Sequence, residues 1–101
     1  MKIKTSELQG AALDWAVAKA KDKQVKGLDW VQPAYSTDWA QGGPIIEREC
    51  IGLQRWNEEH EWAADIGGGF EQYGDTPLIV AMRCYVASKL GDEVEIPKAL
   101  V

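Results

Sequence analysis

The clearest capacity for chemistry in this chain lies in an indole placed three residues ahead of a glycine pair. Trp39 precedes Gly42-Gly43-Pro44, with Tyr35 and Asp38 just before it and Arg48 just after. A tryptophan face stacks on flat rings, and glycine lets bare backbone approach a ligand. Arg48 supplies a guanidinium fork suited to phosphate or carboxylate. A second anion-binding element lies downstream. Thr76-Pro77 has the cap and first-position residues of a helix, and such a helix start presents backbone N–H groups. Arg83, on the same predicted helix, adds a cation, although its commoner use is a surface ion pair. Together Tyr35, Asp38, Trp39, Gly42, Gly43, Arg48, Thr76 and Arg83 suit a nucleotide-type small molecule. The alternative for Trp39 is burial as a plug beneath its own loop, because tryptophan is highly buried on average.

Catalytic and metal chemistry are poorly served. His60 is the sole histidine, and with Glu58, Glu59 and Cys50 it lacks any known zinc-ligand spacing. Cys84 falls between Met82 and Tyr85 on a helical pattern, where an inert buried thiol is the ordinary occupant. Gly67-Gly68-Gly69 lacks the lysine and the strand–helix frame of a phosphate-binding loop. The expectation is a non-enzymatic protein with no cofactor and no metal. Net charge is −5, which argues against a nucleic-acid partner. The run Glu58-Glu59-His60-Glu61 is too short to imitate a phosphate ladder. There is no apolar run near 18 residues, so no membrane span is expected. The first residues carry no hydrophobic signal core, which points to the cytoplasm, with Cys50 and Cys84 as free thiols.

These residues must be positioned by a small framework. A chain of 101 residues, 46% apolar, is read as one compact domain, 1–101, able to bury roughly two-thirds of its unfolded surface. Residues 2–8 begin with strand-like alternation. Alanine-rich residues 10–22 form a helix with Trp15 on its apolar face. Residues 28–32 suggest a short strand closed by Pro33, and 33–44 a long loop carrying Trp39. Two strands are expected at 45–51 and 61–66, joined through a loop or hairpin end at 52–60. Gly67–Gly69 connects onward, 70–73 is ambiguous, and 77–90 is the clearest helix, stopped by Gly91. Residues 92–97 contain one short extended run. The expected architecture is α+β, with two helices packed on a small antiparallel sheet.

Several blocks carry a resemblance: Gly10-Ala-Ala-Leu-Asp-Trp-Ala-Val-Ala18, Ser36-Thr-Asp-Trp-Ala-Gln-Gly-Gly-Pro-Ile-Ile-Glu-Arg-Glu49, and Ala81-Met-Arg-Cys-Tyr-Val-Ala-Ser-Lys-Leu-Gly-Asp-Glu-Val94. With Thr5–Leu8 and Thr76–Ile79, these resemble the NinX-like family of tailed phages and prophages of enteric bacteria. The resemblance implies a small phage-encoded protein of the infected cell's cytoplasm and raises the expectation of a role in phage–host conflict. It brings no catalytic residues. The leading expectation is therefore sequestration of a nucleotide-type molecule, plausibly a host antiviral defence signal. The rivals are a protein–protein inhibitor or adaptor acting on a host factor, and a small hydrolase of a nucleotide signal. Homo-oligomerisation is left open.

Overall fold

The computed structural model describes residues 1–21, 34–55 and 61–100. The expected strand at 28–32 and the residues 56–60, including His60, lie outside these. Strand β1 (Lys2–Lys4) pairs antiparallel with β5 (Glu93–Glu95), setting Lys2 opposite Glu95 and Lys4 opposite Glu93, with Ile3 against Val94 between them. The alternation of both segments thus places opposite charges across the ribbon on its wet face. A 3₁₀ turn at Thr5–Glu7 follows, and buried Thr5 ties it to the end of the last helix through its Oγ1, which donates to Gly91 O at 2.6 Å.

Helix α1 (Gly10–Ala20) buries every residue from Ala12 to Ala18. Its small alanines let the central helix α3 (Pro77–Leu90) lie alongside. α3 is apolar on almost all sides, as a helix enclosed by other elements should be. Val80, Ala81, Met82, Cys84 and Val86 are fully buried. Thr76 caps it by accepting the Ile79 N–H on Oγ1 at 3.1 Å, with Pro77 at the first position. Against its other side lies an antiparallel meander of β2 (Ile51–Arg55), β3 (Trp62–Ile66) and β4 (Gly69–Gly74). Ile51 and Ala64 face the core. Gly67 and Gly68, both at positive φ, make the two-residue turn between β3 and β4 that only such conformations allow.

The segment expected as strand 45–51 is instead the second half of a helix, α2 (Trp39–Glu49), and the expected loop 33–44 contains its first half. Asp38 caps α2, its Oδ1 accepting the Ala40 N–H at 3.0 Å. Gly42 and Ile45, three residues apart, form its buried face. Pro44 removes one ladder bond, but the carbonyl it orphans belongs to exposed Ala40 and is open to water. Cys50 ends the helix in the left-handed region at φ 54°, and β2 begins at Ile51. Among the described residues the architecture is α+β as expected, but with three α-helices and two small sheets. α1 packs chiefly on α3.

Candidate functional site

Trp39 opens α2 and is 52% exposed. It does not plug the core. It stands at one side of a shallow, mostly apolar groove of about 250 Å³ lined by Ser36, Thr37 and the start of α3, Thr76 to Ile79. The indole and the Thr76 helix start, 37 residues apart in sequence, therefore meet as the site reading requires. The Thr76 side chain spends its oxygen on its own helix, and Pro77 has no N–H. Ile79 and Val80 donate to Thr76, leaving the Leu78 N–H as the turn's uncommitted donor among the described residues.

Local hydrogen bonds explain why the indole stands where it does. Ala34 O accepts the N–H groups of Thr37 and Asp38 at 3.1 and 2.8 Å. Gln41 accepts the Ala34 N–H on Oε1 and donates from Nε2 to Asp38 Oδ2. The Asp38 carboxylate is thereby occupied as a cap and is not turned to a ligand. Ser36 donates its N–H to buried Asp14 at 2.8 Å. Burial pushes the Asp14 carboxyl above the usual range, opposed by its hydrogen bond from Ser36.

The glycine pair divides. A Cβ on Gly42 would sit 2.5 Å from Tyr35 O and 2.6 Å from Leu78 Cδ1. Gly42 is thus a contact point between α2 and the start of α3, not a ligand approach. Gly43 is half-buried, and a Cβ there would lie 4.0 Å from Trp39 Cε3. Tyr35 is half-buried too, its ring 5.1 Å from the Lys21 ammonium.

The two arginines go elsewhere. Arg48 lies nine residues beyond Trp39, about 14 Å along the helix axis at 1.5 Å per residue. Its Nε donates to Glu49 Oε2 at 3.0 Å and its Nη2 reaches the Tyr85 hydroxyl at 3.5 Å. The Glu49 carboxylate raises its pKa further. Arg83 donates from Nε to Leu8 O at 2.6 Å and from Nη1 to Tyr73 O at 3.0 Å. It fastens the 3₁₀ segment and β4 to α3, and burial lowers its pKa against the pull of Asp75. Neither guanidinium borders the groove.

A second hollow, about 190 Å³, lies on the solvent face of the meander, bordered by Gly52, Gln54, Ala63, Asp65, Glu71 and Tyr73. A bulge creates it: Phe70 and Glu71 together oppose Asp65, with Phe70 in the left-handed region at φ 59°. The sequence hides this because no periodicity marks a bulge. Tyr73 donates its hydroxyl to Glu71 at 2.9 Å, which raises the phenol's pKa. The Trp39 groove is the stronger candidate because it joins an exposed indole to a helix start.

The cysteines are free, Cys50 exposed and Cys84 buried. Burial, with Asp65 nearby, pushes the Cys84 thiol up to about 12, so it stays protonated and non-nucleophilic at neutral pH. Among the described residues no three His, Cys, Asp or Glu side chains gather as a metal site, and no helix is long and apolar enough to cross a membrane.

Fold and site together define a small α+β protein with an exposed aromatic platform at the junction of two helix starts. The chain belongs to the family described as bacteriophage P22 NinX, whose model matches residues 4–89 and so spans α1, the Trp39 segment, the meander and nearly all of α3. No curated protein matches it.

Proposed function

We propose that this phage-family protein is a non-enzymatic binder that sequesters a nucleotide-type molecule, such as a host defence signal, in the infected host's cytoplasm by stacking its ring on Trp39. The half-exposed indole over the groove at the α3 start carries this reading. The groove is smaller than the roughly 300–1,000 Å³ of drug-sized pockets. It suits a ring moiety, with phosphates directed outward. Since Arg48 and Arg83 are engaged elsewhere, recognition rests on stacking and on the Leu78 N–H more than on phosphate charge.

One observation favours a second reading. Trp39 borders Pro77 and Ile79, an apolar patch with an indole of the kind that anchors protein–protein interfaces. A protein inhibitor or adaptor would use the same surface.

The test is mass spectrometry of small molecules released by heat from protein purified out of infected cells. Sequestration returns an intact nucleotide-type ligand, absent from Trp39→Ala preparations. A chemically altered nucleotide points to hydrolysis. Recovery of a host protein with no small molecule favours the second reading.

A further inference from the structure

The stretch that carries Trp39 is held from beneath by a buried carboxylate. Asp14 lies on the packed face of α1, between Leu13 and Trp15, and is only 7% exposed. Its oxygen accepts the Ser36 N–H at 2.8 Å, and among the described residues no cation lies within ion-pair distance of it. Burying a carboxylate without a cation is costly. The rest of this face is alanine, leucine, tryptophan and valine, and an apolar residue would pack there at no such cost. What the carboxylate supplies is an anchor for Ser36.

That anchor acts on the groove directly. Ser36 is itself a groove-lining residue, three positions before the indole. Beyond it the chain is tied by its own short-range bonds: Ala34 O to Thr37 and Asp38, Gln41 to Ala34 and Asp38, Asp38 to Ala40. These bonds make the turn and the first turn of α2 one rigid piece. Together with the close packing of Gly42 against Leu78 on α3, the Asp14–Ser36 bond fixes that piece to the body of the protein.

We propose that Asp14 is a positioning residue for the Trp39 groove, holding Ser36 so that the indole stands as a preset platform. A preset platform binds a flat ring without first being ordered, which lowers the cost of association. The purpose assigned to Asp14 rests on the reading of the groove as a ligand site. The mechanical link does not, and its test needs no ligand.

The experiment is ¹⁹F NMR of protein carrying 5-fluorotryptophan at its five tryptophans, with Trp39 and Trp62 assigned through Trp39→Phe and Trp62→Phe. Asp14→Ala removes the acceptor, whereas Asp14→Asn keeps an acceptor oxygen for the Ser36 N–H. Asp14→Leu, similar in size and apolar, replaces the alanine variant if that one does not fold. The expected result is a shifted and broadened Trp39 resonance in the alanine or leucine variant. Trp62, on β3, stays in place, and the asparagine variant returns Trp39 close to its wild-type position. Trp15, adjacent to the substitution, is not used as a reference. An unmoved Trp39 resonance overturns the proposal. So does joint movement of Trp39 and Trp62, which is general loosening, or failure of asparagine to restore Trp39. The ligand reading stands or falls separately, on the small-molecule search.

Discussion

Single side chains here have sharply different exposures, and their chemistry follows. Cys50 is exposed at the end of α2, while Cys84 is buried with its thiol pushed up to about 12. Iodoacetamide at pH 8 should therefore add one label to the native protein, at Cys50, and a second only in denaturant. Two native labels would place Cys84 outside the core. Met82 is fully buried on α3, so Met82→Ala should cost about 2–5 kcal/mol and lower Tm by at least about 8 °C. An unchanged melt would contradict the packing of that face. Asp14 gives a pH-dependent signature. Its folded pKa is raised above the ordinary carboxylate value by burial, so between the unfolded and folded pKa values the folded state holds more protons than the unfolded. This group's contribution to stability is thus fully present at low pH and is lost as pH rises through the folded pKa. The stability of wild type relative to Asp14→Asn should improve as pH falls from 7 toward 4, measured by urea unfolding at matched pH. A difference that moves the other way would mean that the Ser36 bond outweighs burial.

Among the elements, α3 was legible because its signals agree: Thr76 and Pro77 at the start, helical apolar spacing, and Gly91 at the stop. α1 and the 61–66 strand were legible for similar reasons. α2 was not. Ile45-Ile46 is a β-branched pair after Gly-Gly-Pro, which by local propensity reads as loop then strand. Asp38 as a cap and the Gly42–Ile45 spacing were present, but their force comes from tertiary contact with α3. Misreading this helix also misplaced Arg48: a strand at 45–51 behind the 33–44 loop left it free to join Trp39, whereas nine helical residues set the two about 14 Å apart along one axis. The meeting of Trp39 with Thr76 was legible only as chemistry, since nothing local specifies it. Gly42 is the element-scale test. A Cβ there meets backbone at Tyr35 O, which has little room to yield. Gly42→Ala should cost about 1–3 kcal/mol by overpacking and shift Trp39 fluorescence as α2 moves from α3. A variant as stable as wild type, with unchanged emission, would show that the two helices are not in contact there.

At the scale of the whole molecule, the distribution of charge tells ring recognition from phosphate recognition. The protein carries net charge −5, Arg48 and Arg83 are tied to Glu49, Tyr85, Leu8 and Tyr73, and the groove walls are mostly apolar. A nucleotide-type ligand held chiefly through phosphate would need a cation at the groove and would weaken steeply with salt. A ligand held through its ring would not. Stacking of a base on an aromatic contributes about 1–3 kcal/mol, so Trp39→Ala should weaken binding by about fivefold or more while far-UV circular dichroism stays unchanged. Arg48→Ala, at the far end of α2, should leave affinity within about twofold, because exposed ion pairs of this kind contribute little. With the ligand recovered from infected cells, titration of wild type, Trp39→Ala and Arg48→Ala at 50 and 300 mM salt decides the matter. The expected pattern is a large loss for Trp39→Ala, almost none for Arg48→Ala, and a shallow salt dependence throughout. A steep salt dependence, with Arg48→Ala as damaging as Trp39→Ala, would move the binding surface along α2 toward its C-terminal end and remove the groove from the mechanism.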